Sequence, residues 1–84
     1  MGIIGAMRNV VLFHAAGCHL CEKARGVLRA ELEDAFEEVD ISGDEALEAR
    51  YREWLPVVEI GGERAFVYFV DPASLRRKLA QSQA

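Results

Sequence analysis

Val10-Val11-Leu12-Phe13-His14-Ala15-Ala16-Gly17-Cys18-His19-Leu20-Cys21 is the stretch on which the reading of this chain turns. Val10 to Phe13 is continuously apolar rather than alternating, the pattern of a strand covered on both faces. Gly17 allows a turn. From there Leu20, Ala24, Val27, Leu28 and Leu32 recur at spacings of three and four, which predicts a helix over residues 18–33 with one apolar stripe. Two thiols three residues apart, the only cysteines in the chain, thus sit where a strand hands over to the mouth of a helix. The thiolate is the attacking species in disulfide exchange, and the unpaired N–H groups and partial positive charge of a helix N-terminus favour it. A Cys-x-x-Cys pair at this address points to thiol–disulfide chemistry.

The flanking sequence has the composition of an ordinary folded domain. At 84 residues the chain is long enough for one domain with a modest core, and 51% apolar residues are enough to build it. A formal net charge of −4 excludes the basic footprint that nucleic-acid binding requires. The first seven residues are apolar but too short for a membrane span, and they lack the basic start of a secretory signal. These features predict a cytoplasmic protein, where a cysteine pair is more often catalytic or metal-binding than structural. Residues 1–8 read as a loose tail, with Met7 an alternative start.

Beyond the first helix, residues 35–41 read as a second strand, with Phe36, Val39 and Ile41 apolar and Glu37, Glu38 and Asp40 between them. Ser42 and Glu45 have the spacing of a capping box, and a short helix is expected to about residue 53, with Leu47 and Tyr51 facing inward. Pro56 ends it. Residues 57–60 and 64–70 form two more strands joined at Gly61-Gly62, a strong hairpin signal, and Tyr68 and Phe69 are assigned to the core. Asp71-Pro72 begins the last helix as N-cap and first helical residue, with Leu75 and Leu79 inward. Gly26, inside the first helix, suggests close approach of a neighbouring element. The order β-α-β-α-β-β-α predicts an α/β domain, with a four-stranded mixed sheet and helices on both faces.

With Cys18-His19-Leu20-Cys21, Leu55-Pro56-Val57-Val58 and Gly61-Gly62 in this order, the chain resembles the thioredoxin-fold superfamily, and within it the short glutaredoxin-like proteins. The resemblance runs over residues 9–80 and implies a thioredoxin-like fold and a dithiol–disulfide oxidoreductase. It identifies Leu55-Pro56 with the family's cis-proline element, whose backbone would pair with an extended substrate. Trp54 is a candidate wall of that groove, although partial packing in the core is the plainer reading. Asp71 is the one counterpart of the acidic pair that holds glutathione in the family. The expected partners are a protein disulfide or a glutathione mixed disulfide, with a reductase or glutathione as electron donor, acting on a monomer that has no bound cofactor. The chain also departs from the pattern. His19-Leu20 replaces the usual Pro-Tyr, no lysine precedes Cys18, and the Gly-rich turn after the fourth strand is missing. These departures count against glutathione binding.

In the catalytic reading Cys18, at the cap, is the nucleophile, and Cys21, one turn deeper, resolves the mixed disulfide. His19 is a candidate for tuning the thiolate, since a nearby imidazolium would favour it. His14 is within reach of the site, although a core or loop role is the plainer reading. Glu37 and Asp40 are candidates for influencing proton transfer at Cys21, with ordinary strand-face exposure the alternative. Two other readings stay open. His14, Cys18, His19 and Cys21 contain enough nitrogen and sulfur for zinc, but structural zinc sites usually draw a second ligand pair from a distant segment. A non-catalytic interaction domain could also retain the scaffold and its cysteines.

Overall fold

The computed structural model describes residues 10–83. The expectations for residues 1–8 and for Met7 lie outside the described residues. The elements are β1 (Val10–His14), α1 (His19–Leu32), β2 (Glu37–Asp40), α2 (Glu45–Tyr51), a 3-10 turn (Arg52–Trp54), β3 (Val57–Ile60), β4 (Glu63–Val67) and α3 (Pro72–Gln83). They build a four-stranded sheet in the order β2-β1-β3-β4. β1 runs parallel to β2 and antiparallel to β3, and β3 pairs antiparallel with β4. The architecture is α/β around a mixed sheet, as the element order predicts.

The continuous apolar run of β1 is explained by its place inside the sheet. Val10 and Leu12 enter a core with Ala24 and Leu28 of α1, Val58 and Ile60 of β3, and Val70 and Leu75 on the α3 side. Phe13 enters a second core with Ala15, Ile41, Tyr51 and Val57. Its ring stacks on Tyr51 of α2 with centroids 4.1 Å apart. Successive β1 side chains point to opposite faces, so α1 and α3 cover one face and α2 the other. Arg76 of α3 reaches Glu31 of α1 at 2.7 Å.

Several local expectations are corrected. The cap of α2 is Asp44, whose Oδ1 accepts the Leu47 N–H at 3.1 Å, and not Ser42. The Ser42 N–H instead donates to Asp40 Oδ1 at 2.9 Å, which closes an Asx turn directly after β2. Gly43, at φ +85°, then carries the chain to Asp44, and its N–H donates to Glu48 Oε2 at 3.0 Å. The second strand is shorter than expected, Glu37–Asp40, and α2 ends at Tyr51 before the 3-10 turn. β4 ends at Val67, since Tyr68 adopts φ +72°, outside any strand conformation. There the Phe69 N–H donates to the Val67 carbonyl at 2.8 Å, an i to i+2 closure that turns the chain out of the sheet. Tyr68 and Phe69 are therefore exposed and not core. Leu20 also leaves the apolar stripe of α1, and Cys21 takes the buried place beside it.

Gly26 is exposed, and a Cβ added there meets nothing within 4 Å, so no neighbour requires the glycine. An alanine would remove about 1 kcal/mol of helix-propensity penalty. Gly26→Ala is thus expected to raise the thermal midpoint by about 4–8 °C, read by circular dichroism. A fall in the midpoint would mean that the site is not open.

Candidate functional site

Cys18 is the N-cap of α1, with φ −93° and ψ 103°, and its Sγ accepts the backbone N–H of Cys21 at 3.1 Å. The sulfur therefore stands where a serine or aspartate oxygen usually caps a helix, facing the positive end of the dipole. The Cys18 carbonyl accepts the Glu22 N–H at 3.2 Å, which completes the first turn. Cys18 and Cys21 form a disulfide with their Cα atoms 5.2 Å apart. The two sulfurs have different surroundings. Cys21 is 1% exposed and sits in the protein interior, while Cys18 is only half-buried. His19 lies exposed between them.

Strand direction determines what surrounds the pair. Phe13 of β1 is opposite Val57 of β3, and Val57 is opposite Val67 of β4. The loop after β1, the segment before β3 and the turn after β4 therefore emerge at one end of the sheet. The Leu55–Pro56 peptide bond is cis, Pro56 is buried, and its carbonyl accepts the Tyr68 N–H at 2.9 Å. Tyr68 also donates its hydroxyl to the Glu53 carbonyl at 3.3 Å, and its ring lies 6.2 Å from that of Trp54. This end of the molecule carries the exposed large apolar side chains among the described residues: Leu20 at 46%, Trp54 at 42%, Tyr68 at 41% and Phe69 at 70%. They form an apolar rim around the cysteine end of the sheet.

Asp71 is at this end as well, but one of its carboxylate oxygens is in use. Oδ2 accepts the Ser74 N–H at 2.8 Å as the cap of α3. That backbone donor, with help from the Ser74 side chain, holds the Asp71 carboxyl below the usual carboxylate range. Asp40 is lowered in the same way by Ser42, and Glu48 by the Gly43 N–H and then by Arg52. Glu37 and Asp40 are exposed on β2.

Glu38 joins β2 to α1 through charge. Its Oε1 accepts from Arg25 Nε at 2.7 Å and lies 3.8 Å from His14 Nε2, and its Oε2 lies 3.8 Å from Arg29. Arg25 and Arg29 are four apart on α1, and Glu38 shares its strand face with Asp40, so charge pairing between the two elements was the available signal. For Tyr68-Phe69 the signal was nearness to Asp71-Pro72, where the chain must already be leaving the sheet. Among the described residues no three His, Cys, Asp or Glu side chains converge as metal ligands.

Comparison with known proteins places these features in a family. The model of the Glutaredoxin-like domain (DUF836) matches residues 9–80. The chain belongs to this glutaredoxin-like family. A structural-genomics target protein from X. campestris is 32% identical, with a TM-score of 0.75, over 86% of this chain and 96% of that one. A protein from Nitrosomonas europaea is 26% identical, with a TM-score of 0.67, over 93% and 98%. A thioredoxin from Malassezia sympodialis, 18% identical with a TM-score of 0.64 over 92% of this chain and 76% of that one, shares the fold. No curated protein matches the chain. The glutaredoxin-like domain thus has the thioredoxin-like fold, and its Cys18–Cys21 disulfide is consistent with a Cys-x-x-Cys redox site. Among its described residues no helix is long and apolar enough to cross a membrane.

Proposed function

We propose that this glutaredoxin-like domain is a dithiol–disulfide oxidoreductase in which Cys18 attacks and Cys21 resolves. The observation that carries the reading is the Cys21 N–H donating to Cys18 Sγ at the mouth of α1, with Cys21 buried behind it. In the reduced protein the same donor and the helix dipole would favour the Cys18 thiolate. An unperturbed thiol of pKa about 8.5 is roughly 3% ionised at pH 7, so any lowering at the cap raises the attacking fraction. The Cys18 thiolate attacks a substrate disulfide and expels one thiolate. Cys21 then attacks the Cys18 sulfur, releases the second thiolate and leaves the Cys18–Cys21 disulfide, so two electrons pass to the substrate.

The rim of Leu20, Trp54, Tyr68 and Phe69 supports a polypeptide disulfide as substrate. The backbone of Leu55, ahead of cis-Pro56, is the candidate for strand-like pairing with it. Asp71, already capping α3, is the candidate acidic group for a substrate amine. His19 is the candidate for tuning the thiolate. The chemistry needs no bound cofactor. A reductase or glutathione would return the electrons, and a monomer in the cytoplasm is the setting that fits a catalytic pair.

The test is turnover of a protein disulfide with glutathione and glutathione reductase, run beside turnover with thioredoxin reductase. The expected result is exchange well above that of free cysteine. Phe69→Ser is expected to raise KM for the protein disulfide several-fold, with kcat nearly unchanged, as for lost uniform binding. Exchange no faster than free cysteine would favour the second reading, a binding-only domain, which the same exposed rim also fits.

A further inference from the structure

Cys21 presents a problem that the exchange mechanism does not itself solve. It must lose a proton before it can attack, yet it is 1% exposed, and burial among apolar groups opposes thiolate formation. Among the described residues no charged or polar side chain is fully buried, so no carboxylate accompanies it inside. One titratable ring stands on the same face of the sheet. His14 is the last residue of β1, four residues before Cys18, and its side chain is only 16% exposed. By strand alternation it shares the face of Val10 and Leu12, the face covered by α1. Cys21 is buried on α1 one turn before Ala24, which packs in that same core. His14 and Cys21 are thereby brought to the same face at the same end of the sheet. The ring also faces a carboxylate, with Nε2 3.8 Å from Glu38 Oε1, the oxygen that Arg25 of α1 binds at 2.7 Å.

We propose that His14 accepts the proton of Cys21 during resolution, with Glu38 as the positioning residue; this rests on the dithiol reading above. The neutral imidazole takes the Cys21 proton, and the Cys21 thiolate attacks the Cys18 sulfur of the mixed disulfide. The Cys18–Cys21 bond forms as the substrate sulfur leaves, and the histidinium, facing Glu38, returns its proton to the leaving thiolate or to water. Only the neutral imidazole can accept the proton, so resolution accelerates as pH rises. The charged groups around the ring are Glu38 and Asp40 on β2, Arg25 and Arg29 on α1, and Arg52 beside Asp40.

The test mixes the reduced full chain with one equivalent of a bis-nitrobenzoate disulfide that releases a coloured thiolate. A bimolecular phase reports Cys18 attack, and a unimolecular phase reports resolution by Cys21. His14→Gln is expected to leave the first phase within about twofold, to slow the second by about tenfold or more, and to flatten its rise with pH. Glu38→Gln removes the carboxylate beside the ring and frees the Arg25 cation near it, and both changes disfavour the imidazolium. The pH at which the second phase accelerates is therefore expected to fall, a shift that a purely structural role would not cause, and this arm decides the matter if His14→Gln does not fold. A second phase of unchanged rate and pH profile in either folded variant would overturn the assignment and leave the dithiol reading intact. Absence of both phases in the unsubstituted protein would overturn both.

Discussion

Cys18→Ser is expected to abolish disulfide turnover, whereas Cys21→Ser completes the first exchange and stops at a mixed disulfide on Cys18. The asymmetry follows from the geometry of α1. Cys18 Sγ occupies the cap position, accepts a backbone N–H and is partly open to solvent, while Cys21 is enclosed. A serine hydroxyl at the cap would still accept the Cys21 N–H, so the helix should keep its start, but its alkoxide is negligible at neutral pH. Loss of a nucleophile is expected to cost on the order of a thousandfold or more in turnover. Mass spectrometry of Cys21→Ser after reaction with a disulfide should show one adduct, on Cys18. An adduct trapped by Cys18→Ser and not by Cys21→Ser would reverse the roles of the two thiols.

Leu28→Ala is expected to lower stability by about 2–5 kcal/mol, the range for deleting a buried leucine side chain. Leu28 is fully buried on α1, in the core with Leu12 of β1, Val58 of β3 and Leu75 of α3, so the cavity would open between the helix layer and the sheet. A domain of this size has roughly 4–13 kcal/mol in total, so the loss is a large share of it. At about 4–8 °C per kcal/mol the thermal midpoint should fall by roughly 8–40 °C. Leu20→Ala, two turns earlier and exposed, is the control and should stay within about 0.5 kcal/mol. Equal losses in the two variants, measured by calorimetry, would contradict the assignment of which face of α1 is buried.

The two leucines also mark how far periodicity can be read along the chain. Leu20 and Leu28 belong to the same run of three- and four-residue spacings, yet only Leu28 is covered. Leu20 lies off the covered face in the first turn, where Cys21 beside it takes the buried place in line with Ala24 and Leu28. Tyr68 and Phe69 also departed from expectation. They are strand-forming residues, but β3 begins at Val57, so the β4 partner residues end at Val67 and the chain turns away with Tyr68 at φ +72°. The cap of α2 moved from Ser42 to Asp44 because Asp40 captured the Ser42 N–H first. In each case a local propensity gave way to a neighbour that the chain pattern did not place.

The sequence by itself determined the element order, the address of Cys18 and Cys21 at a helix mouth, and the Asp71-Pro72 start of the last helix. These depend on periodicity, turn chemistry and capping, which act over a few residues. The tertiary structure alone decided that one thiol is buried and the other half-open, and that the apolar rim gathers at the cysteine end. It also decided that His14 meets Glu38 while Arg25 of α1 holds the same carboxylate. Those contacts join residues 13 to 24 positions apart, and they exist only because β1 pairs in parallel with β2 and α1 packs across both.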